Sequence, residues 1–133
     1  MKQLSAKHLT KLEIDDLIQS LNNESHIGSL VIVEGKKDLD ALLYLGFKGN
    51  IKIYHHFKGT TSFVDYFLQN YKKLILLMDY DRKGIIITKK ILNQLNSKFV
   101  DLNYKKKLLK ITKGQIKSIE EIKSFYIDIA ENK

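Results

Sequence analysis

The chain has no cysteine, no proline and no tryptophan among its 133 residues. Without thiols, disulfides and thiolate zinc sites are excluded. Average usage would supply about six prolines, so their absence removes cis-proline turns and proline-rich linkers. No apolar run approaches the ~20 residues of a membrane span. Met1 to Thr10 is polar and basic, unlike the apolar stretch of a secretory leader. The expected location is the cytoplasm, with no membrane partner. No repeat, low-complexity tract or domain boundary interrupts the chain, so 1–133 reads as one domain.

What is abundant is positive charge. Lysine and arginine number 23 against 15 aspartates and glutamates, a net charge of +8 and an isoelectric point near 9.5. Such a balance favours polyanionic partners, nucleic acid before a membrane surface. An AT-rich coding sequence also yields much lysine, isoleucine and asparagine, so charge alone decides nothing.

Hydrophobic periodicity then sets the fold. Residues 8–23 read as an amphipathic helix, with Ile14, Leu17, Ile18 and Leu21 on one face. Leu30 to Val33 and Leu74 to Met78 are wholly apolar, as strands buried on both faces must be. Asn50 to His55 predicts a short second strand and Lys98 to Leu102 a weak fourth. Helices are predicted from Asp38 to Leu45 with Gly46 as C-cap, from a Ser62-x-x-Asp65 capping box to Tyr71, and from Gly84 to about Asn96. A lysine-rich helix follows over 103–111 and a last helix from Ser118 to Ala130. Alternating strands and helices argue an α/β fold, a Rossmann-like parallel sheet covered on both faces. If the two apolar strands are neighbours, the residues that end them lie side by side.

Those residues are acidic. Val31-Ile32-Val33 stops at Glu34-Gly35, and Ile75-Leu76-Leu77-Met78 stops at Asp79-Tyr80-Asp81-Arg82-Lys83-Gly84. Open α/β sheets bind ligands at the carboxyl ends of their strands. On an extended strand end Asp79 and Asp81 would share one side, and two such carboxylates need a cation between them. Oxygen-only donors suit Mg²⁺ or Mn²⁺. Glu34 would share that ion or shuttle a proton. Lys36 and Lys37 stand in the first turn of a helix, where its dipole disfavours cations and a bound anion would favour them. Arg82 offers a bidentate phosphate contact, and Gly35 and Gly84 leave room for close approach at helix N-termini. Tyr80 is expected to point away and pack. A lone Asp-x-Asp is commonly a solvated turn; the paired corners, each following a buried-type strand, carry the argument.

Together these residues resemble the Toprim domain of primases, topoisomerases, OLD-family nucleases, RecR-like repair proteins and ribonuclease M5. The resemblance spans about residues 29–102, between flanking helices 8–23 and 103–130. Asp79-x-Asp81-Arg82-x-Gly84 is similar to the primase and type IA topoisomerase form. Glu34-Gly35-Lys36-x-Asp38 is closer to ribonuclease M5 and to small stand-alone Toprim proteins of archaea and bacteria. The resemblance implies a four-stranded, mainly parallel sheet, Glu34 as general acid/base, Asp79 and Asp81 on Mg²⁺, and Arg82, Lys36 and Gly84 at the phosphate. No nucleophilic tyrosine is identifiable and no cysteine-based zinc element exists, so a water nucleophile, and hence a nuclease, is favoured over strand passage or priming.

Several residues stand at the margin of this reading. At most one of His55 and His56 meets phosphate if both lie on a strand. Lys58 shares that edge. Lys105, Lys106, Lys107 and Lys110 are expected to be largely exposed on a helix docked through Tyr104, Leu108 and Ile111, and to contact nucleic acid. Asp38, Asp101 and Glu120 are possible extra acids. The expected activity is Mg²⁺-dependent cleavage of RNA or DNA, possible only with an accessory protein in some Toprim enzymes. The rival is a non-catalytic module gripping nucleic acid or a partner in replication, repair or ribosomal RNA maturation. A small phosphorylated ligand is a weaker rival, because no Gly-x-Gly-x-x-Gly or Walker segment is present.

Overall fold

In the computed structural model, which describes residues 6–131, four strands form one sheet in the order β2-β1-β3-β4. They are β1 (Ser29–Val33), β2 (Ile51–Ile53), β3 (Lys73–Leu76) and β4 (Val100–Asp101). Every pairing is parallel, with Ile32 opposite Leu76 and Val33 opposite Ile53. The two apolar strands are thus central and adjacent. Six helices surround the sheet among the described residues: α1 (Ala6–His26), α2 (Lys36–Tyr44), α3 (Thr60–Asn70), α4 (Arg82–Gln94), α5 (Asn103–Ile111) and α6 (Ile119–Glu131).

The period of two along the central strands divides the core. Val31, Val33, Ile75 and Leu77 pack on one side with Ile14, Leu17, Leu42, Leu108 and Ile122, from α1, α2, α5 and α6. Leu30, Ile32, Leu74, Leu76 and Met78 pack on the other with Phe63, Phe67, Ile87 and Ile91, from α3 and α4. Both faces are covered, and all five residues of β1 are buried: Leu30 to Val33 are apolar, and Ser29 donates its hydroxyl to Glu24 Oε2 at 3.2 Å. Each fully buried Leu, Ile or Phe contributes about 1.5–3 kcal/mol of transfer free energy.

Several boundaries move for local reasons. Tyr54, His55 and His56 form a 3-10 turn, so the second strand is shorter than its sequence suggests. The third helix opens at Thr60 after Gly59, whose φ of +142° suits glycine; Ser62 and Asp65 make no capping box there. β3 ends at Leu76, although Leu77 and Met78 stay buried. Gly46 does end α2, with φ +105° and its N–H donated to the Leu43 carbonyl at 3.1 Å. Among the described residues no helix is long and apolar enough to cross a membrane.

Candidate metal and phosphate centre

The site grows out of the β1–β3 hydrogen-bond ladder. Leu77 donates its N–H to the Ile32 carbonyl at 3.0 Å, the last regular rung. The next rung would run from Asp79 to the Glu34 carbonyl. Instead Asp79 donates its N–H to Glu34 Oε1 at 3.0 Å, and the Glu34 carbonyl accepts from His55 N–H at 3.4 Å. The Glu34 side chain therefore takes the place of a backbone acceptor and is fixed between the two corners. It is only 7% exposed. Burial raises its pKa, the Asp79 N–H opposes that, and the charges of Asp81 and Asp38 add to it.

Asp79 is the strained member electrostatically. Burial, followed by the charges of Asp38 and Glu34, pushes its carboxyl up to about 7. Its Oδ1 is buried with no hydrogen-bond partner. A buried orphan acceptor costs about 1–3 kcal/mol unless something satisfies it. Asp81 is exposed and caps α4, accepting the Gly84 N–H on Oδ1 at 2.8 Å. Because β3 stops at Leu76, the two-residue alternation does not reach Asp79 and Asp81, and one turns inward while the other caps a helix.

Gly84 is buried between these groups. A Cβ there would collide with the Asp79 carbonyl oxygen and lie 2.7 Å from Glu34 Oε1. The close approach that requires glycine is to the protein's own backbone, and the Gly84 N–H is already taken by Asp81. Gly35 differs: its φ of −143° is open to any residue, and a Cβ would meet nothing within 4 Å. Its N–H donates to Asp38 Oδ2 at 3.4 Å.

Two residues are better placed than their sequence context suggests. Asp38, on α2, is 6% exposed, and burial raises its pKa against hydrogen bonds from the Gly35 and Glu120 backbone N–H groups. Lys105 is not on the surface; it is 8% exposed, with Nζ donating to the Lys117 carbonyl at 3.1 Å. Burial lowers its pKa, and the charges of Asp79, Asp38, Glu34 and Asp81 counter this. The cause is helical phase: Tyr104, Lys105, Leu108 and Thr112 form one buried stripe, so docking α5 carries Lys105 inward beside the acids. The Lys117 carbonyl also accepts the Tyr80 N–H at 2.7 Å, while the Tyr80 side chain is 53% exposed and packs on no core.

The other candidates divide. Arg82, Lys36 and Lys37 are exposed at the first turns of α4 and α2, on the rim of the acids. His55 is exposed and its charge acts on Glu34; Lys58 is exposed in the following turn. Lys106, Lys107 and Lys110 are exposed on α5, but Lys107 lies over the Tyr104 ring, and Lys107 and Lys110 line a groove with Glu13 and Asp16 of α1. Asp101 is committed elsewhere, to Lys73 Nζ at 3.3 Å and the Asn103 N–H at 2.7 Å. The Glu120 side chain is exposed and contributes charge at Asp38.

Among the described residues no three Asp, Glu, His or Cys side chains are gathered closely enough to cage a metal by themselves. Mg²⁺ seldom needs such a cage, since it binds through one or two carboxylates, waters and substrate phosphate. An oxygen-only donor set with an orphaned, desolvated Asp79 oxygen fits such an ion.

A parallel sheet with a glutamate ending one central strand and an Asp-x-Asp turn after its neighbour defines a class of protein. The Toprim domain family model matches residues 29–120, and the chain belongs to that family. Members generally bind a divalent metal such as Mg²⁺, and the family points to a nucleic-acid-related function. The chain is 34% identical over 117 residues to a UPF0292 protein of Archaeoglobus fulgidus, covering 86% of this chain and 90% of that one. It is 29% identical to the UPF0292 protein of Methanosarcina barkeri, over 84% of this chain and 79% of the relative. A solved protein from Aquifex aeolicus superposes with a TM-score of 0.65 and 30% identity, over 80% of this chain and 94% of that one.

Proposed function

We propose that this chain is a single-domain, Mg²⁺-dependent Toprim enzyme that hydrolyses phosphodiester bonds in nucleic acid, as a nuclease or RNA-processing factor. The observation that carries the reading is the Glu34–Asp79 link. A buried carboxylate is spliced into the sheet ladder, beside an aspartate oxygen with no partner, and cations stand on the rim. Asp79, Asp81 and Glu34 are the residues that would hold the ion, with Mn²⁺ an acceptable substitute. When bound, the ion supplies Lewis acidity toward a phosphoryl oxygen and lowers the pKa of water. Glu34, whose pKa is raised by burial, is placed to take up or return a proton at the reacting group. Arg82 and Lys36 would grip the phosphate from the two rims. Lys105 supplies an internal positive charge that offsets part of the acids' mutual repulsion.

The test is cleavage of structured RNA, single-stranded DNA and duplex DNA with Mg²⁺, Mn²⁺ or chelator. Glu34→Gln keeps the acceptor for the Asp79 N–H, so it should fold normally while losing at least about a hundredfold in rate. Asp79→Asn should do the same. Undiminished cleavage in both variants sinks the assignment. Salt-sensitive binding of the same substrates without turnover would favour the non-catalytic module, with an accessory protein supplying what is missing.

A further inference from the structure

Beside the acids, on the α3–α4 side of the sheet, lies a cavity of about 440 Å³. That is within the range of roughly 300–1,000 Å³ typical of small-ligand sites. One wall is the Tyr54–His55 turn, and the other is the outer face of α4. Arg82, Ile86 and Lys90 stand four residues apart on that face, one above another, and Lys83 flanks them. Ile86 is 44% exposed at the groove. No acidic residue lines the cavity. Its surface is therefore an apolar floor with three cations around it.

The cavity is joined to the acidic centre at both walls. Arg82 follows Asp81 directly, and His55 donates its N–H to the Glu34 carbonyl. Whatever occupies it sits one step from a phosphate held at the acids. We infer that this groove is a subsite for an unpaired nucleotide adjoining the scissile phosphate. This inference rests on the nucleic-acid reading given above. The chemistry is complementary: phosphates meet Arg82, Lys83 and Lys90, and a base lies against Ile86 and the His55 edge. The apolar floor offers a base its face contact, which stacking in a duplex already consumes. A base held by its face must be free of duplex stacking, so the subsite selects single strands.

The test uses Glu34→Gln protein, which leaves the probe uncut, and measures fluorescence anisotropy at fixed salt. Short labelled single strands of RNA and DNA are compared with a blunt duplex. Ile86→Ser and Lys90→Ala are then added together; both positions are exposed, so the fold is undisturbed. The expected result is tighter binding of the single strands, falling about tenfold in the groove variant, as loss of one apolar contact and one phosphate contact would give. Lys106→Ala with Lys107→Ala, on the other side of the sheet, should cost less. Unchanged single-strand binding in the groove variant, or preference for the duplex, overturns the subsite while leaving nucleic-acid binding standing. Equal displacement of the probe by an oligoglutamate peptide shows an acidic protein segment to be the occupant and also overturns it. If no nucleic acid binds the parent at all, the functional reading fails, and the subsite with it.

Discussion

The two acidic corners share a plan, a buried strand running into carboxylates and then a helix, yet they are built with different tolerances. At the first corner the backbone is relaxed. Gly35 is extended, has space around it, and its helix is tied back by Asp38. At the second corner everything is crowded. Gly84 is wedged between the Asp79 carbonyl and the Glu34 carboxylate, and Asp81 spends an oxygen on capping. The first corner contributes the side chain that reaches across, and the second is shaped to receive it. Similar motifs in sequence can thus do opposite structural jobs: one glycine leaves open space in front of the site, and the other permits contact within it.

The comparison breaks most sharply at the glycines. Gly84→Ala gains about 1 kcal/mol in helix propensity, but overpacking between backbone and carboxylate costs about 1–3 kcal/mol. We expect net destabilisation in chemical denaturation and, because Glu34 must shift, loss of most metal-dependent cleavage. Retained activity and stability would show that the crowding is dispensable.

The second expected effect is on pH. Folding raises the Asp79 carboxyl from 3.8 to about 7, so in that window the folded chain holds a proton that the unfolded chain releases. Stability without divalent metal should therefore fall as pH rises through the window. Thermal melts in chelator should show this fall, Asp79→Asn should reduce it, and added Mg²⁺ should oppose it at the alkaline end. A wild-type profile identical to that of Asp79→Asn would mean the desolvated oxygen is harmless. The smallest effect belongs to Gly35→Ala, expected to change stability by less than about 0.5 kcal/mol. If it abolishes cleavage with stability intact, the open space before Gly35 is where the substrate lies.

Much of this contrast was legible in the sequence, and the exceptions have physical causes. Apolar residues on both faces of Leu30–Val33 and Leu74–Leu77 allow only a covered parallel sheet, and that sheet brings Glu34 and Asp79 together. The interior of the site was harder to see. A lysine in a run of lysines reads as solvent-facing, and only the stripe through Tyr104, Leu108 and Thr112 draws Lys105 inward. The acids that make its burial tolerable come from strands and a helix distant in the chain. Asp38 was visible as part of a motif, but its burial depends on α6 packing against α2 and donating the Glu120 N–H. The histidine pair was misplaced because a short edge strand gives way to a helical turn with no glycine or proline to announce it.

One oxygen atom ties this together. The Lys117 carbonyl, in the link between α5 and α6, accepts from both Lys105 Nζ and the Tyr80 N–H. The segment beyond the last strand is thus a keystone for the Asp79–Asp81 loop, although it carries none of the motif residues. A chain cut after Leu102 would keep Glu34, Asp38, Asp79 and Asp81 and lose the ammonium set among them, together with the anchor that holds their loop. The minimal unit of this fold is therefore larger than its motifs. Transplanting the acidic corners alone would carry over their repulsion without the means to contain it.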